Sequence, residues 1–150
     1  MIRMSKLADY SFVILNQMMS AGGEPSSASD LATKTTLPLP TVAKLMKMLA
    51  KNGLVTAHRG ATGGYRLALP PESISIARII EAVDGPITLT ECVDETEPAC
   101  AVQRYCPMYR GWGRVNEAMR HALENVFLAD MVGCPSCTCH PEPGAATVSV

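Results

Sequence analysis

The stretch from Ser27 to Leu69 constrains the fold more than any other part of this 150-residue chain. It opens on Ser27 and Asp30, a hydroxyl and a carboxylate at the spacing of a helix-opening capping box, with Asp in place of the usual Glu. The short helix they start would bury Ala28, Leu31 and Ala32 and stop near Thr35. A linker with two prolines follows, and Pro40 suits the first turn of the next helix, where a missing N–H costs nothing. That helix carries Val42, Leu45, Met46 and Leu49 on one face and Lys44, Lys47 and Lys51 on another, and Asn52-Gly53 stops it. Two strand-like runs, Leu54 to Arg59 and Tyr65 to Leu69, are joined by a glycine-rich turn. In the second, Tyr65, Leu67 and Leu69 alternate with Arg66 and Ala68, as a half-buried hairpin needs. Two helices around a tight turn, the second basic, with a hairpin behind them, describe a winged helix-turn-helix. A nucleotide phosphate loop is the competing reading of the glycines, but no helix opens after Gly64.

On either side of this stretch the periodicity is helical. Leu7, Tyr10, Ile14 and Met18 predict an amphipathic helix ending near Gly22 and Gly23, with Asp9 in its first turn. Ile76, Ile79, Ile80 and Val83 predict a short linking helix between a Ser75 cap and a Gly85-Pro86 stop. Met108, Trp112, Val115, Met119, Ala122 and Val126 alternate steps of four and three, a seam suited to helix association, with Gly111 and Gly113 weakening its start. A protein with one basic recognition helix gains affinity and half-site spacing by pairing, which favours a homodimer. The expected architecture is therefore mainly α with a small β wing. The DNA-binding head spans 1–71, and a linker helix, a cysteine loop and a long dimerisation helix span 72–131. A Cys-containing tail at 132–150, rich in Pro, Gly, Ser and Thr, is expected to be mobile.

Charge divides the chain in the same place. Residues 1–71 hold 8 Lys/Arg against 3 Asp/Glu, and residues 72–150 hold 5 against 11, so a head at +5 precedes a back half at −6. That asymmetry points the head at a polyanion. Asp9, Asn16 and Gln17 interrupt the only patch that could mimic a signal peptide, and no apolar run is long enough to span a bilayer. A cytoplasmic location is expected, where six cysteines suit ligation or redox chemistry better than disulfides.

Cys92, Cys100 and Cys106 share one polar loop, spaced by eight and six positions. The loop lacks the Cys-x2–4-Cys knuckle of zinc ribbons and the common ferredoxin spacings, and holds no histidine to activate a nucleophile. Three thiols among Asp, Glu, Thr, Gln and Pro suit a metal better than a core, and by spacing alone the metal stays open.

Residues 5–10, 51–55, 59–65 and 79–86, together with the three-cysteine loop, resemble one family in family order over about residues 1–131. It is the bacterial iron–sulfur transcription regulators that include IscR and the nitric-oxide sensor NsrR. Leu89 to Cys92 and Leu128 to Met131 resemble most the regulators of the SUF cluster-assembly operon. The resemblance implies a non-enzymatic homodimer bound to double-stranded operator DNA. It also implies one cluster per subunit, 2Fe–2S or 4Fe–4S, on Cys92, Cys100 and Cys106. IscR-type proteins place a histidine where this chain has Tyr109. NsrR-type proteins use an aspartate of the partner subunit, and Asp9 matches that position, although it also suits a solvated first turn. In the family, DNA readers come from the start of the recognition helix and the wing, mapping here to Pro40, Thr41, Ala43, Lys44 and Arg59. Inside a helix-turn-helix Lys44, Lys47 and Lys51 also read as phosphate or base-edge contacts, and Arg66 brackets the wing with Arg59. IscR is acidic at the Ala43 position, so its site preference does not transfer.

Three rivals remain: a cluster-free DNA-binding repressor, a nitric-oxide-sensing repressor of the same family, favoured by Asp9, and a thiol redox or metal-handling protein. The last is favoured by Cys134, Cys137, Cys139 and His140, whose tighter spacing would suit a metal or a dithiol.

Overall fold

The computed structural model describes residues 3–60, 63–93 and 100–131. The tail cysteines and His140 lie outside the described residues, as does the side chain of Cys92. Among the described residues, five α-helices and one two-stranded antiparallel sheet, joined by short 3₁₀ turns, make up the architecture.

Helix α1 (Lys6–Ser20) begins at Ser5, whose hydroxyl accepts the Ala8 N–H at 3.0 Å and donates to Asp84 at 2.6 Å. One side chain thus caps α1 and ties its start to the end of α4 (Ile76–Asp84). The buried face of α1 is Ala8, Ser11, Ile14, Leu15 and Met18, a slight rotation from the expected one, since Leu7 and Tyr10 are only half-buried. Small residues make the difference. Ser11 buries its hydroxyl by donating to the Ala8 carbonyl at 2.6 Å, so a polar residue takes a core position on the face that packs on α4.

Helix α2 (Ala28–Thr35) has the reciprocal capping box: the Ser27 hydroxyl accepts from Asp30 N–H at 3.0 Å, and the Asp30 carboxylate accepts from Ser27 N–H at 3.3 Å. The chain then turns through Thr36, which takes a left-handed conformation at φ 57°, alone among the described non-glycine residues. Helix α3 (Leu39–Lys51) starts with Pro40 in its first turn and drives Val42, Leu45, Met46 and Leu49 into complete burial. Burying a side chain of this size is worth about 1.5–3 kcal/mol, so these four dominate how α3 is held. At its end the Asn52 amide donates to the Met48 and Ala82 carbonyls, at 2.9 and 3.1 Å, which joins α3 to α4.

The wing pairs β1 (Val55–His58) with β2 (Gly64–Leu67), Val55 opposite Leu67 and His58 opposite Gly64. Both strands differ from the expected limits. Leu54 instead closes α3 by donating its N–H to the Leu49 carbonyl, while its own carbonyl accepts the N–H of Ala68, just past β2, at 3.0 Å. Ser26 and Tyr65 exchange backbone hydrogen bonds at 3.0 and 2.8 Å, stitching the wing to the residue before the Ser27 cap of α2. This explains Gly64, where a Cβ would come within 2.8 Å of the Ser26 backbone.

After α4 the chain passes through residues 85–93 and 100–108 into α5 (Tyr109–Glu124). It then returns: Leu128 N–H bonds the Ile74 carbonyl at 2.8 Å and Ile76 N–H the Val126 carbonyl at 2.9 Å, seating Leu128 at 1% exposure. One apolar cluster accordingly runs from Ile14 through α2, α3 and α4 to Leu128. No side chain of α5 is fully buried. Among the described residues no helix is long and apolar enough to cross a membrane.

Candidate nucleic-acid interface and thiol loop

At about 100° per residue, Pro40, Lys44, Lys47 and Lys51 fall within a stripe roughly 60° wide, diametrically opposite the buried stripe of α3. All four are exposed. Thr41 and Ala43 flank the stripe and are half-buried. The burial of Val42, Leu45, Met46 and Leu49 therefore fixes which way the lysines point, and the fit of α3 on α2 presents them as a ridge. Among the described residues the ion pairs are confined to α5, where Glu124 meets Arg120 at 2.8 Å and His121 at 3.3 Å. No carboxylate there competes for the cations of the ridge or the wing. Glu124 is held below its ordinary value by the hydrogen bond from Arg120, and Arg120 is raised by the same bond.

Arg59, expected inside the first strand, is exposed one residue past the end of β1, and Arg66 is exposed on β2 opposite Thr56. Arg66 also borders a cleft of about 490 Å³ between the end of α1 and the chain leaving the wing. On the wing, Thr56 Oγ1 and His58 Nε2 lie 3.2 Å apart.

The backbone of Cys92 lies in the 3₁₀ turn Glu91–Val93, which packs on α5. Cys100 and Cys106 are free and half-buried. The Cys106 carbonyl accepts the Tyr109 N–H at 3.3 Å, so this thiol sits at the threshold of α5. Two donors are therefore available as thiols on one connection between α4 and α5, with the third on the turn against α5. This donor chemistry fits an iron–sulfur group. Asp9 lies on the first turn of α1, exposed, its N–H bonded to the Ser5 carbonyl at 3.1 Å. Among the described residues no three His, Cys, Asp or Glu side chains converge on one point, so Asp9, Cys100 and Cys106 of a single chain do not form a ligand set. Tyr109 opens α5 and is 39% exposed.

Sequence reasoning passed over Asn116. Its amide donates to the Ile87 carbonyl and accepts from the Leu89 N–H, both at 3.0 Å, pinning the segment before Cys92 to the middle of α5. Nothing in periodicity marks it, because an exposed-face Asn in a helix reads as ordinary solvated surface.

The comparisons with known proteins agree with this geometry. Residues 4–133 match Rrf2, described as an iron-dependent transcriptional regulator. Protein rrf2 of Nitratidesulfovibrio vulgaris is 31% identical over 137 residues, covering 89% of this chain and 91% of that one. The structure of CymR, the global cysteine regulator of B. subtilis, matches with a TM-score of 0.66 at 28% identity, covering 87% of this chain and 96% of CymR. That of T. potens IscR matches with a TM-score of 0.62 at 25% identity, covering 87% and 85%. The chain belongs to the Rrf2 family: like its relatives it is a winged-helix transcriptional regulator, and not an enzyme.

Proposed function

We propose that this regulator is a homodimer that senses iron–sulfur status and controls iron–sulfur assembly genes of the SUF type. Cys92, Cys100 and Cys106 would hold the cluster, with Asp9 of the partner subunit as fourth ligand. The observation that carries the reading is the pair of unpaired thiols, Cys100 and Cys106, on the same connection as Cys92, leading directly into the exposed helix α5. Bound there, a cluster supplies an oxidation-sensitive crosslink among these donors. The chain's own residues do the rest. The Glu91–Val93 turn rests on α5, and α4 is tied to α1 by Ser5 and to α3 by Asn52. Order in the loop is thereby passed to the helix bearing the DNA ridge. The ridge of Lys44, Lys47 and Lys51, with Pro40, Thr41 and Ala43 at its start and Arg59 and Arg66 on the wing, would meet operator DNA. A change of order biases how far apart two such ridges are held, and half-sites must be about one helical turn, ~34 Å, apart.

The test is anaerobic purification with visible spectroscopy, iron and sulfide analysis, and native mass measurement. A coloured dimer with cluster iron that disappears in Cys92→Ala, Cys100→Ala and Cys106→Ala, alongside altered operator binding, supports the reading. Operator binding that is the same with and without iron removes it. The likeness to CymR favours a second reading, a regulator answering to cysteine supply without a cluster. A colourless, iron-free protein whose operator binding shifts on oxidation of Cys100 or Cys106 supports that one.

A further inference from the structure

We infer that Asn116 is a positioning residue that sets where Cys92 stands relative to Cys106. This rests on the ligand reading above.

Residues 85–90 form no helix or strand, so no regular ladder holds the backbone that leads to Cys92. Asn116 supplies a substitute. Its carboxamide takes the Leu89 N–H and gives an N–H to the Ile87 carbonyl, both at 3.0 Å, as a neighbouring strand would. Such a pairing requires a donor and an acceptor on one short planar group, which Asn offers and neither Asp nor Leu does. Ile87 beside it is 9% exposed, so the bonds are partly shielded and the apolar side chain anchors the same peptide.

The consequence follows from chain lengths. Cys92 is three residues beyond Leu89, a reach of at most about 10 Å. Cys106 is bonded to the first residue of α5, and the seven residues from Tyr109 to Asn116 span about 10 Å of helix. Both arms of the thiol loop are thus referenced to one rigid rod: Cys106 at its end, and Cys92 through a bidentate clip two turns along. If the clip is released, the Cys106 arm stays on α5 while the Cys92 arm loses the two backbone bonds that reference it to the middle of that helix.

The experiment uses the full-length chain and Asn116→Leu, close in shape but without either bond, with Asn116→Asp keeping the acceptor alone. In iron-free protein three quantities are read: hydrogen exchange at the Leu89 amide, the rate at which dibromobimane bridges Cys92 to Cys106, and thermal stability. In reconstituted protein the rate of cluster loss to a chelator is read. For Asn116→Leu we expect Leu89 exchange to rise about tenfold or more as its bond is lost, with bridging slowed severalfold. Cluster loss should accelerate to a similar degree, and Asn116→Asp should fall between the two. Binding of iron-free protein to operator should not change, since α1–α3 and the wing keep their core. Faster Leu89 exchange with unchanged bridging would make the clip merely structural and overturn the inference. Unchanged exchange would show that no clip exists. If the native chain holds no iron, the ligand reading fails by itself, and bridging in the iron-free protein still decides the role of Asn116.

Discussion

At the residue scale, the helix-turn-helix is held by side chains that satisfy backbone groups, and one of them titrates. The hydrogen bonds from Ser27 hold the Asp30 carboxyl below its ordinary value, with a smaller contribution from Lys34. A carboxyl depressed in the folded state adds stability that is complete above the unfolded carboxylate range, about pH 4, and disappears as pH falls through the lower folded value. Asp30→Asn should therefore flatten the acid limb of a Tm-against-pH curve and leave its shape unchanged near neutrality; an acid limb identical to that of the native chain would contradict the box. Thr36 works the other way. Its left-handed φ of 57° is costly for a β-branched residue, and its hydroxyl donates only to the adjacent Thr35 carbonyl, at 2.7 Å. Thr36→Gly should raise stability by about 1 kcal/mol in a urea titration, provided strain relief exceeds the added entropy of the unfolded chain. A loss of stability would mean that the turn depends on the threonine itself.

At the element scale, what could be read in advance is what local spacing encodes. The four buried residues of α3, the Ser27 box, the Ser75 cap and the Gly85 stop are all set by neighbours within four positions, and each element formed where expected. What stayed hidden depends on distant partners. Nothing near Ser5 announces Asp84, 79 positions away, and nothing near Phe127 announces its bridge to Ser75. Ser11 was missed because a hydrophobic count cannot anticipate a hydroxyl satisfied by its own helix. The candidate site divides in the same way: the lysine ridge was legible from period alone, whereas the Asn116 clip was not. The two faces of α3 should separate cleanly on substitution. Leu45→Ala should cost about 2–5 kcal/mol through lost burial and a cavity. Lys44→Ala with Lys47→Ala should leave stability within about 0.5 kcal/mol. That pair should instead lower the slope of log K against log salt for duplex DNA by about 1.8, or 0.9 for each phosphate contact removed. An unchanged slope would move the interface off this ridge.

At the scale of the whole molecule, the unanswered surface is α5. Met108, Trp112 and Val115 are exposed by 59%, 38% and 49%, and Met119 and Ala122 continue the seam behind them. The helix carries its polar contacts elsewhere, with Asn116 facing the cysteine arm and Arg120 bonded to Glu124. The seam is therefore a strip of apolar surface on a helix with no buried residue of its own, and exposing aromatic and aliphatic groups in a row carries a solvation cost that a second copy would remove. The core cluster from Ile14 to Leu128 includes none of the seam residues, so charge can be placed there without touching the head. Trp112→Glu with Val115→Glu should convert a dimer to a folded monomer in sedimentation equilibrium, with the thermal transition of the head retained. Two heads on one operator act through effective concentration, so the monomer should bind a paired-site duplex at least about 10²-fold more weakly while its affinity for a single half-site is unchanged. The same variant reports on Asp9. If that carboxylate ligates across the dimer, dissociation should release the cluster from the monomer as readily as Asp9→Ala does from the intact dimer. A variant that stays dimeric, or a monomer that grips the paired site undiminished, would remove α5 as the element that sets the distance between two heads.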